Sequence, residues 1–156
     1  MSHPALLIST EELDSPVALA LISALDQELS ALYPEPDANF LELDAEEVAS
    51  DSGAFLVAYL DGRPVACGAV RRISPDTAEL KRMYVRPDVR GLGLARALLE
   101  ELERGARALG MRRLVLETGE RQPAAIALYR RAGFTPIERY GAYVASPLSL
   151  CMAKTL

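Results

Sequence analysis

AELKRMYVRPDVRGLGLARALLEELE, running from Ala78 to Glu103, is the stretch whose reading decides the fold. Strand-forming residues (Leu80, Met83, Tyr84, Val85) give way at Arg86-Pro87-Asp88. Pro87 lacks an N–H for strand pairing and biases Arg86 away from helical geometry. Arg90, Gly91, Leu92 and Gly93 follow, and then Leu94, Leu98, Leu99 and Leu102 recur at helical spacing. The segment therefore reads as strand, glycine-rich turn and amphipathic helix. Such a loop lets backbone N–H groups converge at a helix N-terminus, where unpaired amides and the helix dipole favour an anion. Gly91 and Gly93 permit positive φ and a close approach, while Arg90 and Arg96 add positive charge. The expected guest is a phosphate or pyrophosphate. Within the strand, Leu80 and Met83 stand three apart, so strict alternation cannot bury both. A β-bulge between them would remove the mismatch and re-aim the local side chains.

Two familiar phosphate loops are excluded by their own requirements. A Walker loop needs Gly-Lys, a pair absent from the chain, and the dinucleotide fingerprint G-x-G-x-x-G fails at Arg96. What fits is R-x-x-G-x-A, read at Arg90, Gly93 and Ala95 directly after a strand ending in Val85. This resembles the acyl-CoA pyrophosphate loop of the GNAT superfamily of N-acetyltransferases, although the same residues also suit a plain strand–turn–helix.

Composition narrows the classes. At 156 residues, half of them hydrophobic and a quarter charged, the chain reads as one globular domain over 1–156. Net charge is −5 and no basic run exceeds two residues, which argues against a nucleic-acid partner. Cys67 and Cys151 make neither a disulfide framework nor a metal site, and the only histidine, His3, lies near a terminus. No metal is expected. The first 25 residues carry no Lys or Arg, and the apolar run Val17–Leu25 is too short to span a bilayer, so a cytoplasmic protein without a membrane partner is expected.

In chain order, Leu6–Ile8 reads as a strand. Ser15 as N-cap with Pro16 after it opens a helix carrying Ala18, Leu21, Ile22, Leu25, Leu29 and Leu32. Residues 34–43 read as a loop, and Asp44 with Glu47 as the capping box of a short second helix ended by Asp51-Ser52-Gly53. Phe55–Leu60 and Val65–Val70 flank Asp61-Gly62 as a hairpin, with Arg63 and Pro64 lengthening its loop. Ser74–Thr77 turns the chain into the central strand. Gly110 is a C-cap candidate, and Leu114-Val115-Leu116 suits a strand covered on both faces. Gln122-Pro123 opens another helix stopped at Gly133. Phe134 with Ile137–Tyr140 and then Leu148, Leu150 and Met152 read as the last strands. The order β-α-α-β-β-β-α-β-α-β-β is that of an α/β domain.

Gln122–Phe134, QPAAIALYRRAGF, is similar to the second GNAT signature, N-x-x-A-x-x-L-Y-x-x-x-G-F. Ala125, Leu128, Tyr129, Gly133 and Phe134 match it, while Gln122 replaces the Asn. The resemblance implies an α/β fold of the α+β type. Its mixed, mostly antiparallel twisted sheet of about seven strands carries helices on both faces and central strands splayed to admit coenzyme A. It implies acetyl-CoA as co-substrate, its pantetheine arm on the backbone of Met83 and Val85. Its pyrophosphate would lie on the loop formed by Arg90, Gly91, Leu92, Gly93, Leu94, Ala95 and Arg96. Gln122 would stand for the Asn that reaches the pantetheine, with its amide shifted by one methylene.

Transfer to an amine needs a neutral nucleophile, and a free alkylammonium has a pKa near ~10. Glu79, where some family members carry a catalytic glutamate, reads as a general base acting through water or as a solvated strand-end carboxylate. The Met83 N–H is the candidate donor to the developing oxyanion. Tyr129, at the family's motif tyrosine, would protonate the departing thiolate or else pack as a core aromatic. Cys67 reads as an acyl-accepting thiol or, more simply, a buried small hydrophobe. Arg71, Arg72, Lys81 and Arg82 read as a receptor for a substrate carboxylate or as a solvated strand face, and Tyr33, Tyr140 and Tyr143 offer themselves to an acceptor pocket. The reading is N-acetylation of a small-molecule primary amine, amino-acid-like in one version, by direct attack in a ternary complex. Its alternatives are a protein N-terminus or lysine as acceptor and a non-catalytic acyl-CoA sensor. A homodimer is left open.

Overall fold

Seven strands form one sheet in the computed structural model, which describes residues 5–35, 43 and 45–156. They are β1 (Leu6–Thr10), β2 (Gly53–Leu60), β3 (Arg63–Ser74), β4 (Thr77–Val85), β5 (Arg113–Gly119), β6 (Thr135–Ile137) and β7 (Ser149–Thr155). Their spatial order is β1-β2-β3-β4-β5-β7-β6. Every neighbouring pair is antiparallel except β4 and β5, which are joined in parallel through helix α2 (Leu94–Ala108). Helices α1 (Pro16–Leu32) and α3 (Pro123–Arg131) complete the layers.

Local chemistry explains the elements. The Ser15 hydroxyl accepts the Ala18 N–H at 3.1 Å, and Pro16 supplies a first helical residue needing no N–H partner. Ala18, Leu21 and Leu25 of α1 pack on Phe55, Val57, Cys67 and Ala69 of one sheet face. On the other face Leu94, Leu98, Leu99 and Leu102 of α2 meet Val65, Val70 and Leu80. Both faces are thus covered by helices. Each fully buried leucine of this kind contributes about 1.5–3 kcal/mol. Gly110 and Gly133, with φ of 85° and 101°, stop α2 and α3 in the left-handed conformation that leucine-rich neighbours would resist.

Three sequence expectations need correction. The β2–β3 loop is the minimal two-residue turn, Asp61 and Gly62 both having positive φ, and Arg63 pairs with Leu60. The irregularity expected of Pro64 is absorbed instead as a register shift, with Ala58 opposite Ala66 and Tyr59 opposite Pro64. The second helix is a pair of 3₁₀ turns, Ala45–Val48 and Ser50–Ser52, because so few residues cannot offset the cost of α-helix nucleation. Its proposed cap, Asp44, lies outside the described residues, as do most of the 34–43 loop and His3. The strand expected at Ile137–Tyr140 ends at Ile137: the Tyr140 hydroxyl is drawn to Glu79, and a 3₁₀ turn follows at Gly141–Tyr143.

The expected bulge is present on β4. Tyr84 pairs with Cys67 and Lys81 with Ala69, so Arg82 and Met83 together oppose Gly68. A Cβ at Gly68 would come within 2.5 Å of the Met83 sulfur, so glycine there leaves room for the bulge. Arg82 has φ of 58°, which a non-glycine residue holds only under external constraint. That constraint is the ion pair from Arg82 to Asp26 of α1, 2.7 Å long. Gly53 makes a second close approach. A methyl there would stand 2.0 Å from the Val70 carbonyl oxygen and 2.8 Å from that of Glu47. Gly53→Ala should therefore cost about 1–3 kcal/mol, read as a lowered midpoint in urea or thermal unfolding; an unchanged midpoint would contradict this packing.

Candidate active site at the parting of two strands

Parallel pairing between β4 and β5 runs from Thr77↔Arg113 to Leu80↔Leu116 and stops there. β5 continues to Gly119 paired only with β7, while β4 continues to Val85 paired only with β3. The edges that face each other beyond Leu80 and Leu116 therefore lack their sheet partner. The Arg86 N–H donates to the Val65 carbonyl on the β3 side. Strand alternation accordingly turns the Met83 and Val85 amides toward the open side. A cleft of about 380 Å³ occupies the gap, lined by Lys81, Arg82, Met83, Glu117, Thr118, Gln122 and Tyr129 among others. Leu25, Leu29 and Tyr33 of α1 and its C-cap, with Tyr143, wall it from one side.

Beyond β4 the chain runs through the glycine loop into α2. Gly91 and Gly93 have φ of 85° and 81°, and Gly93 caps α2 without a side chain. Leu94, Ala95 and Arg96 occupy the first helical turn, where amides lack an intrahelical acceptor. Arg90 is engaged within the loop. Its Nε donates to the Val85 carbonyl at 2.9 Å, Nη2 reaches Glu28 at 2.7 Å, and the guanidinium lies 5.8 Å from the Tyr84 ring centre. Val85 thus keeps its N–H available and commits its carbonyl. Leu92 stands 63% exposed at the tip, and Arg96 forms an exposed pair with Glu100.

The residues expected to do chemistry are distributed unevenly. Tyr129 lines the cleft, held edge-to-face on Phe134 with centroids 5.7 Å apart. Burial first, and then the charge of Glu117, hold its phenol well above the usual range, so it stays protonated and a donor. Glu79 does not line the cleft. It is 1% exposed, accepting from Arg71 Nε at 2.8 Å and from the Tyr140 hydroxyl at 2.6 Å. Tyr140 is thereby tied to the sheet, with its phenol raised by burial and by that bond. Arg71 also pairs with Glu47.

Arg72 lies apart from the cleft. Its guanidinium donates to the carbonyls of Asp51, Pro75 and Leu109, stitching β3 to the end of α2. Tyr33 is on the cleft wall, its hydroxyl accepting from the Arg121 N–H at 3.0 Å. Gly119 permits this, since a Cβ there would overlap the Tyr33 hydroxyl at 1.6 Å. Cys67 is buried, donates to the Arg82 carbonyl at 3.3 Å, and burial pushes its thiol up to about 12, a state unsuited to nucleophilic attack. Among the described residues no group of three or more His, Cys, Asp or Glu is placed to hold a metal, and no helix is long and apolar enough to cross a membrane.

The group that sequence reasoning passed over is Glu117. It sits on β5 at the first position after the pairing ends, and burial, then the nearby Glu79 charge, push its carboxyl up to about 7, against the opposing influence of Lys81. The available signal was an ionisable residue closing the apolar run Leu114-Val115-Leu116.

Comparison with known proteins gives the family. A model of the acetyltransferase (GNAT) family matches residues 18–134, and the chain belongs to that family, whose members are acetyltransferase enzymes. The chain is 43% identical to a protein named IAA acetyltransferase from Azospirillum brasilense, covering 98% of this chain and 99% of that one. Among solved structures, a Klebsiella pneumoniae protein assigned provisionally as an acyl-CoA N-acyltransferase superposes with a TM-score of 0.84 at 33% identity over 97% of both chains. A GNAT acetyltransferase from Elizabethkingia anophelis with acetyl-CoA bound shares the fold, with a TM-score of 0.69 at 17% identity over 97% of this chain and 98% of that one.

Proposed function

We propose that this chain transfers an acetyl group from acetyl-CoA to the primary amine of a small molecule, both substrates being bound together. The observation that carries the reading is the cleft between β4 and β5, with an unpaired strand edge on one wall and proton-transfer groups on the other. The fit to acetyl-CoA rests on this chain's own groups. The Met83 carbonyl and the Val85 N–H would bond the pantetheine amides, and Gly91, Leu92, Gly93, Leu94, Ala95 and Arg96 would surround the pyrophosphate with backbone amides. Arg90 would hold the loop in shape through Val85, and Gln122 would line the arm. When bound, acetyl-CoA supplies the activated acyl carbon and a thiolate leaving group.

Glu117 takes the place that sequence reasoning offered to Glu79. Its carboxylate faces the cleft, with Lys81, Arg82, Tyr129 and Tyr143 around it and Glu79 behind. A carboxyl of pKa about 7 exchanges protons readily near neutral pH and accepts one from the incoming ammonium. Glu79, locked by Arg71 and Tyr140, acts through its charge as a positioning residue that raises Glu117. As the new N–C bond forms and the C–S bond breaks, the Met83 N–H is available to the thioester oxygen, and Tyr129 gives its proton to sulfur. The second amine proton, shed as the C–S bond breaks, returns to the Tyr129 phenolate, and Glu117 passes the first to solvent, so each turnover releases one proton with the thiol. Neither group is needed by a protein that only senses acyl-CoA. The cleft volume and its aromatic walls favour a small acceptor over a folded protein surface.

Tyr129→Phe should slow thiol release by about ten- to a thousand-fold with acetyl-CoA affinity retained, as expected of a lost general acid. Unaltered turnover would remove Tyr129 from the chemistry. With wild-type protein, kcat/KM should climb through an apparent pKa near about 7 as Glu117 loses its proton, because only the carboxylate accepts one. Glu117→Gln should abolish that limb and leave only the ionisation of the amine itself. A limb surviving in Glu117→Gln and vanishing in Glu79→Gln would return the role to Glu79.

A further inference from the structure

Lys81 and Glu117 are the first residues past the last β4–β5 pair, one on each strand. Each lies one step beyond a registered parallel pair, so both project from the same sheet face. Both are half-buried and both line the cleft. The surrounding charges are spoken for: Glu79 by Arg71 and Tyr140, and Arg82 by Asp26. Neither the Lys81 ammonium nor the Glu117 carboxylate enters a direct ion pair or side-chain hydrogen bond among the described residues. They stand on adjacent strands of one sheet face as a carboxyl and an amine, near enough for the Lys81 charge to act on Glu117.

Two opposite charges half withdrawn from water, each without a direct partner, are costly unless a ligand completes them. Burial pushes each toward its neutral form, Lys81 downward and Glu117 upward. A ligand that completes both carries a cation and an anion of its own. The acceptor amine, as an ammonium, is the cation for Glu117, which leaves an anion for Lys81. The cleft also has to admit the end of the pantetheine arm, so the ligand is small. Leu25 and Leu29 on its α1 wall suit an apolar side chain.

We propose that the acceptor is a small zwitterion, an amino acid whose carboxylate binds the Lys81 ammonium while its amine faces Glu117. This rests on the acetyltransferase reading above and adds the substrate class to it. Lys81 contacts substrate and sets specificity; the proton transfers stay with Glu117 and Tyr129.

The test uses full-length protein, acetyl-CoA and thiol release with L-leucine, L-phenylalanine, L-glutamate and β-alanine, each beside its carboxamide. For at least one pair the acid should be preferred in kcat/KM. Lys81→Met should cut that preference by about ten- to a hundred-fold, mainly through KM of the acid, the range expected for losing a hydrogen bond to a charged group. Lys81→Arg should keep most of it. Taking the acid-to-amide ratio across variants cancels the differing basicity of the two amines and any change at Glu117. Equal use of acids and amides, or a preference unmoved by Lys81→Met, overturns the zwitterion while acetyl transfer stands. Thiol release from no member of the panel overturns both.

Discussion

The site depends on the parting of β4 from β5. Four registered pairs join the strands, and after Leu80↔Leu116 the ladder ends although both chains remain extended. Unpaired backbone amides inside a protein are costly, so such a gap persists only where something else fills it. What keeps it open is local. Arg82 and Met83 crowd opposite Gly68, and the extra residue bends β4 away with its right-handed twist increased. Asp26, reaching from α1, clamps Arg82 in its left-handed conformation. Helix α1 thereby does more than cover a sheet face: it stabilises the irregular strand that shapes the cleft.

Charge is distributed across that sheet face in a graded way. Glu47, Arg71, Glu79 and Tyr140 form a connected network away from the cleft, in which each charged group has its partner. The next residues toward the opening, Lys81 and Glu117, lack such direct pairing. A satisfied network rigidifies, whereas incompletely paired charges are reactive or await a ligand. The fixed negative charge of Glu79 then works at a distance, helping to lift Glu117 into the range where protons are exchanged near neutral pH.

Much of this was legible in the sequence because its causes are local. Asp61-Gly62, Ser15-Pro16, Gly110 and Gly133 mark their turn and caps by backbone chemistry alone, and Gly91 and Gly93 adopt the positive φ that the loop requires. The three-residue spacing of Leu80 and Met83 announced the bulge. Other features depend on residues far apart in the chain. Glu79 read as a general base or a solvated strand-end carboxylate, yet Arg71 and Tyr140 enclose it. Arg72 looked free for a substrate, yet three carbonyls from separate segments hold it. Glu117 follows an apolar run and belongs to no motif. Its position opposite Lys81 is decided by where the β4 ladder stops, which no motif records.

Amide hydrogen exchange with and without saturating coenzyme A tests the central claim most directly. Strand-edge and first-turn amides that lack protein acceptors exchange readily until a ligand accepts from them. The account predicts new protection at Val85 and the Leu94–Arg96 turn, with little change on the paired segment Thr77–Leu80. Protection absent from β4 and concentrated elsewhere would contradict the parted strands as the binding site.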